Sequence, residues 1–193
     1  MVVSESLSRF HRMQSTARRF LTLGQATWRE TLVLMAVAWL VPFLVHVLPW
    51  DGPRPLGAHL LPAFWTAFVA VYLYGFGVGA LVALVVPVAN LLTTGLPVPE
   101  RVVLLSLELV LFAGFAAWFL RRWPALRLAS VLAWLPAMAL TVAVRWVWSD
   151  TPRPVLDTIV GNASGALAGL GVLLALNLAL VQLLPKDRDW DAE

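Results

Sequence analysis

From Leu60 to Pro99 the chain runs for forty residues without an Asp, Glu, Lys or Arg. A transmembrane helix needs about 20 apolar residues to cross a hydrocarbon core of about 30 Å. The stretch is therefore long enough for two crossings. Tyr74-Gly75-Phe76-Gly77 is the natural turn between them. The whole chain agrees, being 60% hydrophobic and 13% charged, against about 45–50% and about 25% in a soluble domain. One core cannot hide so much apolar surface, so lipid must solvate it.

Other stretches extend the count. Thr31–Leu48 carries no Asp, Glu, Lys or Arg, and Arg101 and Arg121 bracket a segment interrupted only by Glu108. Arg127 to Trp148 makes another, with Arg145 near its end, and after Asp157 no charge recurs until Lys186. The reading is an all-α, polytopic bundle of six transmembrane helices over residues 30–185. A basic segment, 1–29, precedes it and a short tail, 186–193, follows.

Charge placement orients the bundle. With the N-terminus inside, Arg9, Arg12, Arg18, Arg19, Arg29, Arg121, Arg122, Arg127, Lys186 and Arg188 are cytoplasmic, and only Arg54, Arg101 and Arg153 are external. Ten against three is a strong positive-inside bias. It predicts that both termini are cytoplasmic, in a multi-pass protein of the cell inner (cytoplasmic) membrane. Five spans would separate the termini and dilute the bias. Trp28, Trp50, Trp123, Trp146 and Trp148 fall at span ends, where interfacial tryptophans sit. This placement accounts for the pI of about 10.2 without a nucleic-acid partner. Residues 1–29 lack the apolar run of a cleavable signal. Leu7, Phe10, Met13, Ala17 and Phe20 recur at helical spacing among arginines. The segment reads equally as an amphipathic helix on the inner leaflet or as a disordered basic tail.

Polar groups inside spans are costly, which makes them functional candidates. At about 1.5 Å per residue, Glu108 lies about 12 Å below the outer start of the fourth span. His46, Asn90, Arg145, Asp157 and Asn162 also fall in the outer half, whereas the inner half has only milder groups such as Tyr72, Asn177 and Gln182. The asymmetry predicts an outward-facing small-molecule pocket lined by Asn90, Glu108, Arg145 and Asp157, with Trp50, Trp146 and Trp148 as apolar walls. The loop Pro49–Ala58 would close it as a lid, and Thr93–Arg101 would form a second rim. The competing reading is packing alone, with Glu108 and Arg145 as a buried ion pair and Asp157 favouring its own helix N-terminus. Gly161, Gly165 and Gly169, and likewise Gly75, Gly79 and Ala83, recur every four residues, which signals close helix approach.

Several chemistries are excluded. There is no cysteine, hence no disulfide, thiolate nucleophile or Cys-bound metal. Phosphate loops, GxSxG and HExxH are absent. The expectation is a chain that makes and breaks no bond and holds no cofactor or metal.

Over Leu48–Arg122 the chain resembles the substrate-binding (S) components of energy-coupling factor (ECF) transporters. The resemblance is carried by His59-Leu60-Leu61-Pro62, then Gly75, Gly79 and Pro87, then Thr93-Thr94-Gly95-Leu96-Pro97, and finally Leu107-Glu108-Leu109 with Phe112 and Gly114. Leu96 stands where the pattern has Met. It implies capture of a vitamin-like small molecule from outside, with His59 joining the site residues. It also implies partnership with an ECF coupling subunit and ATPases, since this chain carries no ATPase. A second resemblance, Arg153, Asp157, Asn162, Gly165 and Gly169, is to VanZ-like membrane proteins linked to cell-envelope or glycopeptide-resistance functions. A third possibility is an enzyme acting on lipid-linked wall precursors, with Asp157 and Glu108 as its acid–base pair.

Overall fold

The computed structural model describes residues 28–49, 51, 56–95, 98–148 and 154–185. Half of the expected lid (Trp50 and residues 52–55), Leu96 and Pro97 of the second rim, Arg153, residues 1–27 and the tail 186–193 lie outside the described residues. The described chain is helical throughout: α1 (Trp28–Val47), α2 (Leu56–Leu60), α3 (Pro62–Tyr74), α4 (Phe76–Thr94), α5 (Pro99–Arg122), α6 (Ala129–Trp148), α7 (Val155–Gly165) and α8 (Leu167–Leu183).

Local chemistry sets the breaks. Pro62 disfavours right-handed helix at the preceding residue, and Leu61 sits in the left-handed region at φ 54°. The short α2 therefore ends there, and Pro62 opens α3 as a first-turn proline. Gly75 adopts φ 82°, a conformation glycine enters without steric cost, and the chain folds back on it. A Cβ at Gly79 would run into the Val71 side chain, so the last turn of α3 and the first turn of α4 lie close. Gly95, at φ 70°, ends α4 and donates to Leu91 O at 2.9 Å.

Helices α1, α4, α5 and α6 are long and apolar enough to cross a bilayer, and the bent pair α7–α8 brings the total to five. Their outward faces carry Leu32, Val37, Leu44, Leu84, Leu92 and Leu140, the surface of a membrane-embedded protein. Two expected spans differ. The second is the 13-residue α3, about 20 Å long. The last is not continuous, because α7 and α8 meet at 61°.

Helix α3 is the centre of the molecule. It packs against α1, α4, α5 and α8, and α5 in turn packs against α4 and α6. Phe64, Phe68 and Tyr72, spaced four apart, form one buried ridge on α3. Phe64 meets Phe112 of α5 edge-on at 5.1 Å, and Phe68 lies 6.4 Å from the same ring. Ala67, Ala70, Ala113, Ala116, Ala133 and Ala137 are fully buried, and such small side chains let helices come close.

Candidate functional site

Short connections reverse the chain between α4 and α5 and between α5 and α6, and each pair packs along its length. The end of α4, the start of α5, the end of α6 and the start of α7 thus share one end of the bundle. That end holds Asn90, Glu108, Arg145, Trp148 and Asp157.

Asn90 is the most enclosed of them, at 6% exposure. It sits one turn before the end of α4. Its backbone carbonyl accepts from Thr94 Oγ1 at 2.8 Å, while its side-chain Oδ1 has no partner among the described residues. Beside it, Thr93 Oγ1 donates to Ala89 O at 2.9 Å and accepts from Trp39 Nε1 at 3.2 Å, tying α4 to α1. Glu108 is half-buried on α5, nine residues past Pro99 and so about 14 Å along the helix.

Arg145 is exposed, and no ion pair joins it to Glu108 among the described residues. It lies only about 5 Å from the end of α6, so the two groups differ in depth. The last turn of α6 also stands clear of its neighbours, with Trp146, Val147 and Trp148 at 51%, 80% and 78% exposure. Trp146 and Trp148 therefore face outward at the helix end and enclose nothing. Asp157 is exposed in the first turn of α7. Helices α5 and α7 do not pack extensively, and no hydrogen bond joins Asp157 to Glu108 among the described residues. The site residues thus share an end, and the described side chains do not converge on one point.

His59 has a structural partner. Its Nδ1 lies 2.9 Å from the carbonyl oxygen of Gly165, at the bend between α7 and α8. A carbonyl only accepts, so Nδ1 carries the proton in this contact. The α2 backbone presses on the next turn, where a Cβ at Gly169 would lie 2.7 Å from Leu60 O and 2.8 Å from His59 O.

The opposite end carries polar contacts that residue type did not signal. Tyr72 Oη donates to Leu184 O at 2.7 Å and approaches Leu180 O at 3.3 Å. Ser130 Oγ donates to Leu173 O at 3.0 Å, and Asn177 Nδ2 donates to Leu126 O at 3.1 Å. All three fasten α8 through backbone carbonyls, which are invisible as sequence motifs. A cavity of about 680 Å³ opens at the α5–α6 connection, and none of the expected site residues lines it.

Among the described residues no group of three or more His, Cys, Asp or Glu could hold a metal ion. No family model, curated protein or solved structure matches the chain.

Proposed function

We propose that the chain is the membrane-embedded capture subunit of an ECF-type importer in the cytoplasmic membrane, taking up a vitamin-like small molecule. Asn90 is the observation that carries this reading: its Oδ1, like Asn177 Oδ1 and the ring nitrogens of Trp65 and Trp134, is buried without a partner among the described residues, and of the two amide oxygens it alone lies with Glu108 at the end that holds the candidate residues. A buried amide oxygen without a partner costs about 1–3 kcal/mol, and a bound ligand offering a donor recovers that cost. The motif residues that resemble the S components support it further. Leu61-Pro62, Gly75 and Gly95 form the joints that frame α3 and α4, and Glu108 lies on the helix packed beside them. In this reading Asn90 and Glu108 contact the ligand, and Arg145, Asp157 and Trp148 stand at the rim of the same end. The glycines behind the VanZ-like resemblance are occupied in packing: Gly165 accepts from His59, and Gly169 receives the α2 backbone.

The test is ligand retention. Wild-type protein purified in mild detergent from rich medium is denatured, and its small molecules are identified by mass spectrometry. One stoichiometric compound is expected from wild type, and none from Asn90→Leu. A wild type that carries no small molecule and recovers no coupling subunit or ATPase when co-expressed with them would end the importer reading.

A further inference from the structure

The α5–α6 connection has the build of a lipid site. Helix α5 ends in Arg121-Arg122, and α6 begins at Ala129. Between them the cavity of about 680 Å³ is walled by Phe119, Trp123, Pro124, Leu126 and Leu132, with Arg122 at its edge. The aromatic wall is braced. Trp118 meets Phe119 at 4.9 Å and Trp123 at 5.8 Å, both edge-on, and Phe119 stacks with Trp123 at 6.1 Å. The loop is fixed from beneath by Asn177 Nδ2 on Leu126 O, and from within by Leu126 N on Trp123 O at 3.0 Å.

Charge is one-sided there. Arg121, Arg122 and Arg127 are exposed, and no Asp or Glu occurs from Leu109 to Ser149. The Arg122 guanidinium carbon lies 5.7 Å from the Trp123 ring centroid, which orients the cation beside the cavity mouth. The cavity also lies where two membrane-crossing helices end, the depth at which headgroups meet acyl chains. Exposed Trp123 marks the same depth.

We infer that this cavity binds an anionic phospholipid, with an acyl chain on the Phe119–Trp123–Leu132 wall and the phosphate on Arg122. A loop whose arginines served only orientation would need no concavity and no aromatic wall. Basic pockets between transmembrane helices hold anionic headgroups by this chemistry, and the guanidinium fork matches phosphate geometry. The inference rests on the membrane embedding and not on the importer reading, so either can fail alone.

The test is native mass spectrometry of the full chain in detergent, titrated with phosphatidylglycerol or phosphatidylcholine of matched acyl chains. Wild type is expected to take up phosphatidylglycerol in preference. Arg122→Gln should weaken that uptake roughly tenfold and leave phosphatidylcholine unchanged. Arg29→Gln, which removes the same charge from an exposed residue on α1, should leave both unchanged. Free glycerol phosphate should not compete, because it lacks the chain that fills the cavity. Equal uptake of the two lipids by wild type overturns the inference, and that comparison needs no variant. Equal losses from Arg122→Gln and Arg29→Gln also overturn it, since they show diffuse attraction only.

Discussion

A methyl group at position 169 has no room. The atoms it would meet are the Leu60 and His59 carbonyl groups, which belong to a backbone and cannot rotate aside. Gly169→Ala must therefore push α2 off α8, and overpacking of this kind costs about 1–3 kcal/mol. Gly171→Ala is the contrast. Nothing lies within 4 Å of its Cβ position, so the helix gains about 0.5–1 kcal/mol from replacing glycine. Thermal unfolding in detergent should show the two substitutions moving in opposite directions. A second pair of residues separates binding from support. Asn177→Leu strands the Leu126 carbonyl and should lower stability by about 1–3 kcal/mol, yet it should leave ligand retention intact, unlike Asn90→Leu. The four-residue glycine spacing made close packing legible at Gly79 and Gly169, whereas Gly161 faces open space. Residue type also signalled that Arg145 is costly inside a span. It could not reveal that the last turn of α6 stands clear of the bundle, since that depends on where neighbouring helices end.

The bend between α7 and α8 shows what an element owes to its surroundings. Residues 155–183 contain no proline and only one charge, Asp157, so the stretch reads as one continuous span. At the break lies a contact 106 residues distant in sequence, in which His59 Nδ1 donates to the Gly165 carbonyl. Ala166 N reaches both Asn162 O at 3.0 Å and Ala163 O at 3.2 Å, closing the last turn of α7. With the His59 donor removed, the Gly165 carbonyl loses its side-chain partner at a junction packed by α2 and α8. His59→Ala should then cost about 1–3 kcal/mol. It should also raise amide hydrogen exchange in residues 163–170 more than in α5. Unchanged exchange there would show that the bend is held by something other than this bond. Joints encoded by their own residues were legible, as at Gly75, where glycine sits at the fold-back and α3 and α4 begin on either side. Pro62 and Leu61 behave alike, because proline acts on its neighbour through sterics alone.

At the scale of the whole molecule the question is whether α3 crosses the membrane. Alone it is about 20 Å long, short of a hydrocarbon core of about 30 Å. Together α2 and α3 cover residues 56–74, about 28 Å if laid end to end. Ten of the thirteen residues of α3 are buried, and it packs on α1, α4, α5 and α8, so protein rather than lipid surrounds it. A helix in that position does not need the length of a lipid-facing one. The fold-back at Gly75 runs α3 and α4 in opposite directions. Because α4 is long enough to cross, α3 must start at the end where α4 finishes, which is also where α1 must hand over the chain. Counting α3 as a crossing, with α7–α8 as the last, predicts six alternating passes and both termini on one side. The ten-to-three arginine and lysine bias predicts that this side is the cytoplasm. Reporter fusions at Leu126 and at the C-terminus should read cytoplasmic, and fusions at Gly52 and Thr151 external. If α3 were instead a re-entrant element, the chain would return to the side where α1 ends, and α4 would cross in the direction opposite to α1. The Leu126 and N-terminal reporters would then disagree, and only five passes would remain.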